Sequence, residues 1–164
     1  MLHQMLKYKA WADRRTLDAV ATADAGDLTS LLAFARQQLN HMVRVEELFK
    51  ARLLGEAVPH ASTNTDELPA LDELERRITA SNQWLATYAD SLKPAQLHEV
   101  LHFQFVDGQR GSMTREEILF HFVNHGTYHR GAIGHALDLA KAVRPADTYT
   151  VFIHAAEPER RAQV

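Results

Sequence analysis

The stretch TREEILFHFVNHGTYHRGAIGHALDLA, residues 114–140, predicts one long amphipathic helix. Thr114 and Glu117 have the T-x-x-E spacing of a capping box, in which two side chains satisfy backbone N–H groups of the first turn. We expect this helix to continue to about Ala142 and to end before Pro145, because proline cannot extend it. Its core-facing stripe, at intervals of three and four residues, consists of Ile118, Phe122, His125, His129, Ile133 and Ala136.

Three further segments of the chain show the same helical periodicity. They run from about Leu2 to Ala23, from a cap at Asp27 or Thr29 to about Leu54, and from Pro69 to about Leu92. The Gly26-Asp27 pair, Gly55 and Pro94 separate them. The stripe expected to face the core on the second segment consists of Leu31, Phe34, Gln38, His41, Val45 and Leu48.

The remaining segments contain little regular structure. Phe103, Phe105 and the Asp107-Gly108 pair predict a short β-hairpin or loop before the last long helix. The tail after Pro145 is partly apolar and is expected to pack on the helices. Four amphipathic helices without a substantial sheet predict an all-α four-helix bundle in one domain, residues 1–164. The loops after the second and third helices are long enough for a connectivity other than up-down-up-down.

The composition limits the classes of function. The 164 residues are 46% hydrophobic and carry a net charge of −3 without a basic cluster, so we expect no nucleic-acid partner. The chain has no cysteine, which excludes disulfides, thiol nucleophiles and thiolate ligands and leaves His, Asp and Glu as metal ligands. The first 15 residues contain charges and no continuous apolar run. We therefore expect neither a signal peptide nor a membrane partner, and a cytoplasmic location.

The histidines of the last long helix are the most informative polar residues. His121, His125 and His129 follow one another at four-residue intervals, so they project from nearly the same side. His41 takes the equivalent place on the second helix. Helical bundles build metal sites from such facing side chains. Spacing alone favours metal ligands and ordinary hydrogen-bonded core histidines about equally. His121 lies at the edge of the stripe, where a packing role or a role in supporting a ligand is favoured over direct ligation.

The other histidines receive no metal-binding role from the sequence. His135 is six residues beyond His129, and we expect it to pack against neighbours. The remaining histidines are expected to be solvated, namely His3, His60, His98, His102 and His154. The chain has no H-E-x-x-H motif and no pair of E-x-x-H motifs, so the zincin and di-iron bundle mechanisms are excluded.

Five stretches, spread over most of the chain, form a recognisable set: YKAWA (8–12), LNHM (39–42), ARLLG (51–55), FQFVDG (103–108) and HFVNHGTYHRG (121–131). In these stretches the chain resembles the DinB family of DinB/YfiT-like metalloenzymes. The resemblance implies a four-helix bundle, a divalent metal such as nickel or zinc, and a homodimer. It also implies that His41, His125 and His129 are the three protein ligands. Tyr128 and Ala132 stand where the family often has His and Gln, which affects the lining of the site and therefore the substrate.

Several other residues near this motif receive alternative roles. Asn124 and Arg130 point away from the ligand direction; Arg130 either orients neighbouring groups or forms an ordinary salt bridge. Gly126 removes a side chain between two ligands, where another group could approach. The aromatic pair Tyr8 and Trp11 lines the pocket or, more commonly for such pairs, belongs to the core. Asp107 is most simply a turn residue, and a carboxylate reaching the metal is the less favoured alternative.

These residues lead to three functional hypotheses. The first is a metal-dependent enzyme of the thiol S-transferase or hydrolase type, in which an open metal position activates water or a low-molecular-weight thiol toward a small-molecule substrate. No general base is identified. The second is a non-catalytic metal-binding or stress-response bundle. The third is a helical interaction module whose histidines bind nothing.

Overall fold

Helices dominate the computed structural model, which describes residues 1–23 and 29–161. In chain order the elements are α1 (Leu2–Ala23), α2 (Thr29–Leu54), α3 (Leu71–Ser91), α4 (Pro94–Leu97), β1 (Val100–Gln104), β2 (Arg110–Thr114), α5 (Arg115–Leu139), α6 (Tyr149–Ala156) and a 3-10 turn (Pro158–Arg160). The strands β1 and β2 form one antiparallel hairpin. The expected all-α bundle of four long helices with a short hairpin is therefore confirmed. The proposed cap Asp27 lies outside the described residues.

In cross-section the four long helices occupy the corners of a square, with α1 and α2 at diagonally opposite corners. Each of these two helices packs against both α3 and α5. Helix α1 runs antiparallel to α3, because Lys9 contacts Asn82 whereas Arg14, further along α1, contacts Glu75 near the start of α3. Placing consecutive helices on the diagonal puts α5 beside both of them.

Helices α2 and α3 run in the same direction. Glu47 contacts Arg77, and Lys50, one turn further along α2, contacts Trp84 on α3. A chain leaving the end of α2 must therefore return along the bundle before α3 can begin. Residues 55–70, called the crossover loop below, make this return. The connectivity is not up-down-up-down, in agreement with the expectation from the loop lengths.

The crossover loop is fixed to α2 by side chains that recur about once per helical turn. Arg36 donates a hydrogen bond to the Pro69 carbonyl, and Asn40 donates one to Thr65 Oγ1. Further along α2, Arg44 donates to the Ser62 carbonyl. Glu47 pairs with the His60 ring. The loop therefore lies along α2 beside His41.

The ends of α5 follow from local chemistry. Thr114 Oγ1 accepts a hydrogen bond from the Glu117 N–H at 3.2 Å, and Glu117 accepts one from the Thr114 N–H at 2.7 Å. The predicted capping box is confirmed. The helix ends at Leu139, slightly before the expected Ala142, and Lys141 adopts a left-handed φ of 54°.

The hairpin turn has the predicted residues. Gly108 has a φ of +87°, which favours glycine. Asp107 accepts a hydrogen bond from the Gln109 N–H at 2.9 Å. Asp107 is thus a turn residue, as favoured from the sequence.

The core stripe predicted for α2 is partly wrong. Phe34 is 40% exposed, whereas the buried residues follow Leu32, Ala35, Leu39 and Met42. The reason is that α2 packs between two helices, α3 and α5, so its buried face is broader and rotated from the stripe that contains His41. His41 consequently lies at the margin of the core and not at its centre.

The tail packs on α1, as expected, but as a helix. Thr148 caps α6, and Phe152 is buried with its ring 5.9 Å from Tyr8 and 5.6 Å from Trp11. Among the described helices, none combines the length and apolarity required to cross a membrane.

Candidate metal centre

Three histidines converge between α2 and α5. These helices run antiparallel, so His41 on α2 lies opposite both His125 and His129, which are one turn apart on α5. One ring nitrogen of each histidine lies within 4.8 Å of the others, and Nε2 of His41 is 3.2 Å from Nε2 of His125. The juxtaposition expected from the spacing and the family resemblance is present.

The donor set fits a divalent cation. Two nitrogens bound at 2.0–2.1 Å to one tetrahedral ion would lie about 3.3 Å apart, close to the separation of the His41 and His125 Nε2 atoms. Imidazole nitrogens suit zinc and nickel among the common divalent metals. Within the described part of the chain, this cluster contains no fourth histidine, aspartate or glutamate. All three residues are partly exposed.

Burial keeps these imidazoles neutral. Burial lowers the pKa of His125 to about 3, and the nearby charges of His129, His121, His41 and Lys9 act in the same direction. Burial, followed by the charges of His41 and His121, lowers the pKa of His129 to about 4. The pKa of His41 is also lowered by burial. At neutral pH each ring therefore has one unprotonated nitrogen, which is the form that binds a metal.

Gln38 is a polar contact of the site to which the sequence assigned no role. Its Oε1 lies 2.6 Å from Nδ1 of His129. A polar residue within an apolar stripe, three residues before a candidate ligand, was the available signal. The crossover loop supplies a second such contact: the Asn64 side chain and the Thr63 backbone face His41 as hydrogen-bond acceptors, and they oppose the lowering of its pKa.

His121 lies beside the three converging histidines and outside their cluster. Its ring is 5.0 Å from the Phe49 ring and 5.1 Å from the His125 ring. This is the packing role favoured from the sequence. Tyr128 is 75% exposed and meets the His129 ring edge-on at 5.1 Å, while Asn124 is exposed on α5.

A buried ionic cluster lies on the other side of α5. Lys9 Nζ contacts Asp13 Oδ2 at 2.8 Å and Glu46 Oε1 at 2.7 Å. Arg130 pairs with Asp13 at 2.8 Å and with Asp147 at 2.7 Å. The salt bridge was one of the two roles expected of Arg130. The sequence assigned no role to Lys9, Asp13 and Glu46. A charged pair four residues apart on the apolar side of the first helix, Lys9 and Asp13, was the available signal.

Tyr8 and Trp11 belong to the core of the bundle. Tyr8 is buried and its hydroxyl donates to Asp147 at 2.6 Å. Burial and the hydrogen bond to Asp147 raise the pKa of this hydroxyl. The more common of the two roles for such an aromatic pair is the observed one.

Three expectations for the remaining histidines, those for His135, His60 and His154, are wrong. His135 is exposed, because six residues beyond His129 a helix has turned it away from the core stripe. His60 is half-buried and pairs with Glu47 at 2.5 Å, since the crossover loop folds it against α2. His3, His98 and His102 are exposed as expected, and His154 is half-buried.

The sequence that forms this site matches a known protein family. The family model of the DinB family matches residues 1–161. No curated protein and no solved structure gives a significant match. The family match covers nearly all of the 164 residues and includes the three converging histidines. The chain therefore belongs to the DinB family.

Proposed function

We propose that this DinB-family chain is a metal-dependent enzyme in which His41, His125 and His129 hold one nickel or zinc ion. The observation that supports this most directly is the convergence of three imidazole nitrogens from two helices. Three protein ligands with an accessible remaining position are typical of catalytic metal sites, whereas structural sites are closed by a fourth protein ligand.

When bound, such an ion would act as a Lewis acid that makes water or a thiol a better nucleophile at neutral pH. The protein residues around it would hold and orient the groups. His125 and His129 present their rings from successive turns of one helix, so their spacing is set by the helix itself. His41 completes the set from α2. The partial exposure of all three residues supports access of a small-molecule substrate to the ion.

We favour a thiol S-transferase or a hydrolase as the reaction class, with a low-molecular-weight thiol as the candidate partner. The support is the resemblance of the motif around His121 to His129 to that of the family, together with the open site. The alternative is a non-catalytic metal-binding protein with a role in stress response. It would bind the same ion and show no turnover.

The first test is metal content. Chains purified without a histidine tag are compared by elemental analysis as wild type, His125→Ala and His135→Ala. We expect about one nickel or zinc ion per chain in the wild type and in His135→Ala, because His135 is an exposed histidine on the same helix. We expect loss of the ion in His125→Ala. Equal metal content in all three proteins would refute the assignment.

The second test separates the enzyme from the non-catalytic alternative. Metal-loaded and chelator-treated protein are assayed with several low-molecular-weight thiols and a reactive electrophile, and with amide substrates. Turnover that disappears on chelation and returns with metal supports the enzyme. Metal binding without turnover on any substrate supports the alternative.

The family resemblance also leads us to propose a homodimer. Sedimentation equilibrium at several protein concentrations tests it: the proposal expects twice the 18.5 kDa chain mass, and a monomer at all concentrations would contradict it.

A further inference from the structure

We infer that Gln38 is a positioning residue that directs Nε2 of His129 toward the metal. Its side-chain oxygen accepts a hydrogen bond from the N–H of the other ring nitrogen, Nδ1. This inference rests on the proposed metal site and adds to it a residue that acts on the ion through His129.

The hydrogen bond determines which nitrogen of His129 is free. A neutral imidazole has one N–H donor and one acceptor nitrogen. Gln38 presents its amide oxygen, which can only accept, 2.6 Å from Nδ1, and this orientation favours the proton on Nδ1. Nε2 then keeps its lone pair. In the opposite tautomer Nε2 would carry the proton, and His129 could not bind a cation through that nitrogen.

The fold places Gln38 for this role. It precedes His41 by three residues on α2, so one helix supplies both a ligand and the hydrogen-bond partner of the ligand opposite. Because α2 and α5 are packed together over their length, the Gln38 to His129 distance is set by the same helix pair that brings the rings together.

A neutral acceptor has a chemical consequence. A carboxylate in this position would pull the Nδ1 proton more strongly and make the imidazole a stronger donor to the ion. An amide orients the ring without adding negative charge. The three imidazoles and Gln38 therefore leave the full dipositive charge of a bound ion available to a substrate anion, such as a thiolate.

The test compares Gln38→Met, Gln38→Glu and the matched control Gln37→Met, which changes the neighbouring, exposed glutamine. Affinities for Zn²⁺ and Ni²⁺ are measured by competition with a chromophoric chelator, and thermal unfolding of the metal-free proteins checks the fold. We expect metal binding to weaken about 10–100-fold in Gln38→Met. Gln37→Met should retain the wild-type affinity, and Gln38→Glu should equal or exceed it.

A second measurement does not depend on metal. In ¹⁵N-labelled metal-free protein, His129 should be the Nδ1–H tautomer in the wild type and lose that preference in Gln38→Met. Wild-type affinity and an unchanged tautomer in Gln38→Met would overturn the inference. A wild-type protein that binds neither Zn²⁺ nor Ni²⁺ would instead refute the proposed metal site, and the tautomer would still decide whether Gln38 orients His129.

Discussion

Gly126, between the two candidate ligands of α5, shows how a single missing side chain lets the ionic cluster approach the helix. A Cβ at this position would lie 2.7 Å from a terminal nitrogen of Arg130 and 3.8 Å from Cε of Lys9. Arg130 has little freedom to move, because Asp13 holds the same nitrogen at 2.8 Å. The absence of a side chain at Gly126 thus makes room for two buried cations of the protein itself, Arg130 and Lys9.

We expect Gly126→Ala to destabilise the protein by about 1–3 kcal/mol, because overpacking of a filled interior outweighs the better helix propensity of alanine. Gly131 is the matched control: it lies in the same helix, is exposed, and a Cβ added to it would meet no atom within 4 Å. Gly131→Ala should stabilise by about 0.5–1 kcal/mol. Urea unfolding of both variants measures the difference, and a Gly126→Ala protein as stable as wild type would contradict this account.

The three converging histidines could be predicted because each is conspicuous on its own helix. An imidazole in an apolar stripe is visible from the periodicity of one segment, and the family motif adds His41 to the pair on α5. Gln38 and Glu46 could not be assigned partners in this way. Their partners lie on other helices, and which side chains meet depends on the rotation and relative height of two helices, which periodicity within one segment does not specify.

At the scale of elements, the crossover loop is the part of the fold that depends most on specific hydrogen bonds. Thr65 is its central attachment: its hydroxyl accepts from the buried Asn40 amide at 2.7 Å and donates to the Glu67 carbonyl at 2.7 Å. This single hydroxyl therefore joins the loop both to α2 and to itself.

We expect Thr65→Val to lower the free energy of unfolding by about 1–3 kcal/mol, because the buried Asn40 N–H group loses its acceptor. Thr65→Ser retains the hydroxyl and should remain within about 0.5 kcal/mol of wild type. Chemical denaturation of the three proteins provides the comparison. A serine variant that loses stability while the valine variant does not would show that the methyl group of Thr65, and not its hydroxyl, stabilises the loop.

The long helices were predictable and the short ones were not. The predicted bounds of α1 and the predicted start of α5 agree with the structure. In these segments the periodicity, the caps and the glycine or proline breaks all indicate the same bounds. Helix α6 has the sequence YTVFIHAA, rich in β-branched and aromatic residues with low helix propensity. It is helical because its first turn is capped by Thr148 and Phe152 packs on α1. Such tertiary contacts outweigh local propensity in a short segment. The one-turn helix α4 was too short to show periodicity.

At the scale of the whole molecule, the clustered histidines make stability depend on pH. In the metal-free protein burial lowers the pKa of His41, His121, His125 and His129 from the 6.5 of an unperturbed histidine. As the pH falls through 6.5, the unfolded chain therefore binds more protons than the folded one. The free energy of unfolding consequently decreases as the pH is lowered. The full stability is present above about pH 7.5, where the histidines of the unfolded chain are neutral as well. The part due to His125 continues to be lost down to about pH 3.

We expect the metal-free protein to lose stability between pH 7.5 and pH 5.5, with His125 alone accounting for a loss on the order of 1 kcal/mol. The measurement is urea unfolding in the presence of a chelator at several pH values. His125→Gln removes one of the titrating rings and should show a shallower decrease over this range. A variant with the same pH slope as wild type would show that His125 is not held neutral by the fold.

The ionic cluster also restricts how the helices can be assembled. Lys9 on α1 touches Glu46 on α2 and Asn82 on α3, and through Asp13 it is linked to Arg130 on α5. Sliding α1 by one turn, about 5.4 Å, would preserve much of its hydrocarbon contact but separate Lys9 from Glu46 and Asp13 from Arg130. Lys9 would keep Asp13, which lies on the same helix, but Glu46 would lose its cation. Separating a buried pair costs about 3–5 kcal/mol. Apolar side chains alone tolerate several alignments of neighbouring helices, and these few charges select one register.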